Sequence, residues 1–256
     1  MIALAPHCIW LRRRGQGDPV VMIHGFGGDH NAWRMLVAAA ALPRPVLAID
    51  LPGHGRSPAG ATDFDVIVQE AATAIASQGI TAAHVVGHSL GAAISVGVAT
   101  AARFDTKSLT LLAPAGLGPE IDGDFLTGFC AARDQAELTP WMSRLVADPA
   151  SIPPVFVEVT AASRAEPGIA DAQRHLAQSL FPHGRQAFSI RSALTDTMIP
   201  SQIILGNADR IIPPTHAQGL PSGIGHHVLD GIGHMPHIEA VDAVARLLIT
   251  HLDAFS

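Results

Sequence analysis

Only one lysine, Lys107, occurs in the 256 residues, so the remaining basic residues are arginines. Acidic side chains outnumber basic ones by 22 to 16, giving a net charge of -6 and a pI near 6.1, and this balance argues against nucleic acid as a partner. The chain is short of cysteine too. Cys8 and Cys130 lie far apart and suggest no disulfide framework, which makes a reducing cytoplasm the expected compartment. No apolar run approaches the ~18 residues that a membrane span needs. The hydrophobic share of 48% and mean hydropathy of +0.30 come instead from alanine and scattered valine, leucine and isoleucine. The first residues, "MIALAPHCIW", have no basic stretch ahead of the apolar ones; Arg12, Arg13 and Arg14 follow them, which is the wrong order for a secretory signal. Internal repeats and low-complexity tracts are also missing.

What is present is alternation. "DPVVMIHG" (18–25), "PVLAID" (45–50), "AHVVG" (83–87), "KSLTLLAP" (107–114), "SQIILGNAD" (201–209) and "HHVLDG" (226–231) read as strands. Helical patterns separate them at 31–42, 63–78 and from Leu90 to about Arg103, and a last helix is expected near "EAVDAVARLLITHL". Short, nearly continuous apolar strands between amphipathic helices indicate a mostly parallel sheet covered on both faces. The rhythm breaks over 117–196, where only helix-like patches appear: "DFLTGFCAA", "LTPWMSRLVAD" and "ADAQRHLAQSLF". The expected architecture is one α/β domain over 1–256 with a helical insertion at 117–196.

Ser89 sits where a strand pattern gives way to a helix, inside Gly87-His88-Ser89-Leu90-Gly91. This fits G-x-S-x-G at the strand-to-helix turn where that motif puts a strained serine proud of a sheet. Residues two before and two after must be tiny to avoid neighbouring backbone. A helix N-cap is the competing reading of such a serine. A nucleophilic serine needs a base, and the base an orienting acid. In chain order, Asp209 follows the strand "SQIILG", and His234 lies in the Gly-rich loop after the last strand. Both fall at strand C-terminal ends, the edge that carries sites in open α/β sheets. Asp230, four residues before His234, is the competing acid. "HGFGGD" (24–29) ends the first buried strand, and its glycines let backbone N–H groups point at a ligand; the oxyanion donors are assigned to Phe26 and Leu90. A dinucleotide fingerprint starting at Gly25 would need glycine at position 30, which is His30. His24 is expected to support this loop structurally.

Taken together, "HGFGG", "DLPGHGRS", "GHSLGA", "GNADRIIP" and "GHMPHIE" resemble the α/β-hydrolase superfamily across essentially the whole chain. The resemblance implies the α/β-hydrolase fold, with a helical lid inserted between strands six and seven, and it puts Ser89, Asp209 and His234 on nucleophile, acid and base. Asp50, Arg56 and Ser57 of "DLPGHGRS" fall on a loop of structural role. "GLGPEIDGDFLTGFCAA" with "DRIIP" and "GHMPHIE" is similar, more narrowly, to the hydrolase-like domain of acetoin dehydrogenase dihydrolipoamide acetyltransferase components. Such acyltransferases need a lipoylated lysine on a swinging domain, but Lys107 lies inside a strand pattern, and no lipoyl domain is expected in this chain. Their H-x-x-x-D-G pattern recurs at His226–Gly231 on a predicted strand, where it reads as coincidence.

The expected activity is therefore serine hydrolysis of a small, largely apolar carboxylic ester or thioester through an acyl-enzyme. Acyl transfer, carbon–carbon bond hydrolysis on the same triad, and ligand binding without turnover are the alternatives. The insertion holds ten acidic and six basic residues, so no anion patch is expected in it. Phe125, Phe129, Trp141 and Met142 are the expected pocket lining; Phe156, Phe181 and Phe188 are further apolar candidates. The spacings of His84/His88 and His234/His237 could suggest a metal, but His84 and His88 fall on a strand and a turn and no cysteine or carboxylate cluster accompanies them, so no metal or other cofactor is expected. The partner is a small acyl substrate, with monomer and dimer both open.

Overall fold

The computed structural model describes residues 6–256. Its strands are β1 (His7–Arg12), β2 (Val20–Ile23), β3 (Val46–Asp50), β4 (Ala82–His88), β5 (Asp105–Leu112), β6 (Ser201–Gly206) and β7 (Gly225–Leu229). They form one sheet in the order β1-β3-β2-β4-β5-β6-β7, with β1 antiparallel to β3 and every other pair parallel. The helices are α1 (Arg34–Ala40), α2 (Phe64–Ala76), α3 (Leu90–Thr100), α4 (Gly123–Ala131), α5 (Gln135–Ser143), α6 (Pro154–Ala165), α7 (Ile169–Leu180), α8 (Arg191–Asp196), α9 (Pro236–Glu239) and α10 (Val241–Ala254).

Successive side chains of a strand point to opposite faces, and this sheet buries both. Val21 and Ile23 of β2, Leu47 and Ile49 of β3, and Val85 of β4 join Ile67 and Ile75 of α2 and Ile94 of α3 in one core. Their neighbours Val20, Met22, Val46, Ala48 and Val86 join Leu36 of α1 and Val244 and Leu248 of α10 in the other. That two-sided burial is why the strands read as unbroken apolar runs rather than as alternating ones. This is the expected fold.

β1 has no counterpart among the expected strands. It is an edge strand, half-buried along its middle, so it shows neither an apolar run nor clean alternation. Helices α4 to α8 fall between Gly123 and Asp196, and their place in the strand count differs from the expected one. Among the described residues the insertion lies between β5 and β6, not between strands six and seven, because only five strands precede it. Since β5 runs parallel to β2, β4, β6 and β7, the insertion leaves the sheet at the edge where all of those strands end. No helix among the described residues is long and apolar enough to cross a membrane.

Candidate active site

Ser89 is the single residue between β4 and α3, with φ 53° and ψ -119°. A side chain at positive φ is strained and persists only where its surroundings over-determine it. Here its amide donates to Leu112 O (2.9 Å), and its carbonyl accepts from Ala92 N (3.0 Å) and Ala115 N (3.1 Å). The flanking glycines are required by space. A Cβ on Gly87 would lie 2.5 Å from Ala92 Cα, and one on Gly91 2.1 Å from Ile23 O. The Ser89 hydroxyl makes no capping bond to α3, so the N-cap reading does not describe it.

Asp209 and His234 stand at the ends of adjacent strands, in the loops after β6 and β7. Asp209 Oδ1 accepts from the amides of Ile211 (2.8 Å) and Ile212 (3.0 Å), which leaves Oδ2 to face His234 Nδ1 at 2.7 Å. With Nδ1 donating to a carboxylate, Nε2 of His234 carries the free lone pair. Asp230 instead accepts from Asn207 Nδ2 (2.6 Å) at the surface and has no contact with the imidazole. His88, the residue before Ser89 in the G-x-S-x-G turn, donates from Nε2 to His234 O (2.8 Å). Its ring lies 4.6 Å from that of His237, whose two nitrogens are buried without a partner. Burial pushes His237 down to about 3 and His88 well below the ordinary histidine range, so both are neutral around pH 7. His84, one of the pair weighed for a metal, turns away to Ser108 Oγ (2.8 Å).

The loop after β2 is held from below by histidines. His24 Nδ1 donates to Gly25 O (2.8 Å) and its Nε2 accepts from Leu51 N (3.0 Å). His54 Nε2 accepts the Gly27 amide (2.9 Å), and Gly28 N bonds Gly25 O (3.1 Å). The Phe26 amide is thus left without a partner among the described residues, as is that of Leu90 at the start of α3. Free amides at a helix N-terminus and in a glycine loop suit a developing negative charge. The "DLPGHGRS" loop is structural: Asp50 accepts from the amides of His30 (2.7 Å) and Arg56 (2.8 Å), and Ser57 Oγ donates to Asp50 O (2.6 Å).

Ser89, His234 and Phe26 share a cavity of about 40 Å³ roofed by the insertion. Phe125, Phe129 and Met142 line it, with Phe156 and Phe181. Trp141 does not. Its ring packs against Gly128, where a Cβ would lie 2.0 Å from it, so this aromatic joins α5 to α4 rather than facing substrate. Phe188 stacks on Phe64 at 4.4 Å, also away from the cavity. Sequence reasoning missed His54 and His88, which hold the oxyanion loop and the His234 carbonyl. Their only signal is membership of the DLPGHGRS and GHSLG stretches, which assigns them no role.

The profile of the Alpha/beta hydrolase family matches residues 20–247. The chain is 37% identical over 246 residues to a dihydrolipoyllysine-residue acetyltransferase component of an acetoin cleaving system from Pseudomonas putida, covering 95% of this chain and 66% of the relative. It thus spans just under two thirds of that relative. A pimeloyl-[acyl-carrier protein] methyl ester esterase from Methylococcus capsulatus is 29% identical over 254 residues, covering 94% and 96% of the two chains. Among solved structures, a meta-cleavage product hydrolase from Pseudomonas fluorescens IP01 superposes with a TM-score of 0.85 at 20% identity, covering 99% and 97%, a likeness of fold.

Proposed function

From a chain that belongs to the Alpha/beta hydrolase family, we propose a serine hydrolase that cleaves a small, largely apolar carboxylic ester or thioester. The observation that carries the reading is the meeting of the strained Ser89 and the Asp209-oriented His234 in one apolar cavity. In this mechanism His234 Nε2 takes the proton of Ser89 Oγ as the oxygen attacks the acyl carbon. The N–H groups of Phe26 and Leu90 hold the oxyanion, and Asp209 stabilises the imidazolium. Collapse expels the alcohol or thiol, protonated by His234. Water activated by the same imidazole then releases the acid and restores Ser89.

Residues 117–196 act as the lid of this one-domain enzyme and choose the substrate. Among the residues lining the cavity none is a carboxylate, lysine or arginine, which favours an uncharged reacting portion. The full-length relative named an esterase supports hydrolysis over transfer. So does the place of His226 and Asp230, on or next to edge strand β7 and outside the cavity lining. Free Cys8 and Cys130 suit a reducing cytoplasm. The test is an acetyl ester mixed with the enzyme and quenched within the first turnovers. An acyl adduct on the peptide containing Ser89 supports the reading, and turnover with no adduct in any quench sample counts against it.

A further inference from the structure

The loop that carries His234 is fastened to the insertion as well as to the sheet. His234 N donates to Leu145 O at 2.8 Å. Glu239, three residues beyond Pro236 at the end of α9, spreads its carboxylate across the same junction: Oε1 accepts from Gly233 N (2.9 Å) and Oε2 from Ala147 N (2.7 Å). The approach is close enough to need glycine, since a Cβ on Gly233 would lie 2.6 Å from Ala147 N and 2.7 Å from Val146 C. On its other side the His234 carbonyl is held by His88 Nε2. The backbone of the base is therefore clamped between the nucleophile strand and residues 145–147 of the insertion.

We infer that Glu239 is a positioning residue that makes residues 145–147 of the lid part of the mounting of His234. This deepens the serine-hydrolase reading and rests on it. Both carboxylate oxygens face N–H donors, so the position demands an acceptor at each end. A glutamine of the same shape must turn its NH₂ toward one of those donors and leave it unpaired.

The experiment uses the full chain as Glu239→Gln. Four quantities are read: kcat and KM for an acetyl ester, hydrogen exchange of the peptide spanning 144–148, the low-field proton resonance of the Asp209–His234 hydrogen bond, and the melting temperature. A base displaced by a fraction of an ångström predicts kcat lower by about 10- to 100-fold with KM changed by less than about twofold. Exchange over 144–148 should accelerate, and the low-field resonance should weaken or vanish in the folded variant. If Glu239→Gln does not fold, Glu239→Asp, whose shorter arm reaches only one amide, should show the same signature at smaller amplitude. Normal kcat and an intact resonance in whichever variant folds would overturn the inference, even if stability fell. Fluorophosphonate labelling of the wild type keeps the two claims apart. A labelled wild type with a fully active variant removes only Glu239's role, whereas an unlabelled but ester-cleaving wild type removes the serine-hydrolase reading and this inference with it.

Discussion

His234 Nδ1 lies 2.7 Å from Asp209 Oδ2, with 2% and 3% of the two side chains exposed. The pair joins loops from neighbouring parallel strands, and the second Asp209 oxygen is locked by two backbone amides. This geometry fixes one imidazole tautomer.

Asp209→Asn should therefore keep the fold but lower kcat by about 10⁴, because the amide favours the wrong tautomer. Asp230→Asn, which disturbs only the surface contact with Asn207, should stay near wild type. Steady-state kinetics on the two purified variants decides. Collapse of activity in Asp230→Asn with a normal Asp209→Asn would move the acid to Asp230.

The size of the cavity predicts the substrate profile. The resting cavity is small, about 40 Å³, and its lining is mostly apolar. Each further methylene that finds apolar cover adds about 0.8 kcal/mol, roughly fourfold in kcat/KM. Phe129→Ala and Phe181→Ala should shift the optimum acyl chain to longer esters, whereas Trp141→Ala should not, since Trp141 is no part of the lining. Chain-length profiles of the three variants test this. A shift in Trp141→Ala alone would place the acyl group elsewhere.

How much of this was legible in the sequence follows from what each feature depends on. β2 to β6 are legible because burial on both faces writes an apolar run into each strand, whereas β7 is a half-exposed edge. Ser89, Asp209 and His234 are legible because each follows the end of a strand pattern, within three residues of a glycine. α6 is not among the helix-like patches named from the sequence; it opens at Pro154 directly after Pro153, where proline suits a first helical turn. In sequence, an aromatic of the insertion looks the same whether it faces the cavity, as Phe129 does, or a glycine on the next helix, as Trp141 does. Leu145 and His234 are far apart in sequence, and their bond is between backbone atoms, which no side-chain pattern records. On the sequence alone, nucleophile, base, acid and oxyanion donors all lie outside the insertion, so replacing residues 120–190 with a short Gly/Ser linker is expected to leave some hydrolysis of acetyl esters. The bond between Leu145 and His234 predicts the opposite.

Stability should fall in mild acid. Burial holds His54 and His237 down to about 3, so below a pH of about 6.5 the unfolded chain binds protons that the folded chain refuses. Their contribution is complete above the unfolded value and is lost as pH falls from there toward the folded one, at about 1.4 kcal/mol per pH unit for each histidine. His237→Leu also removes two buried nitrogens that lack partners, so it should be neutral or stabilising at pH 8 and should flatten the slope between pH 6 and 5 by about one proton. Urea unfolding at pH 8, 6 and 5 provides the comparison. An unchanged slope would mean that His237 takes up a proton in the fold.

The central claim is that Ser89 is the nucleophile, and intact-mass analysis after treatment with a fluorophosphonate tests it most directly. The account predicts one adduct, located on Ser89, that forms as ester turnover is lost, with neither adduct nor turnover in Ser89→Ala. An adduct that persists in folded Ser89→Ala, or ester turnover that survives that substitution, would contradict it.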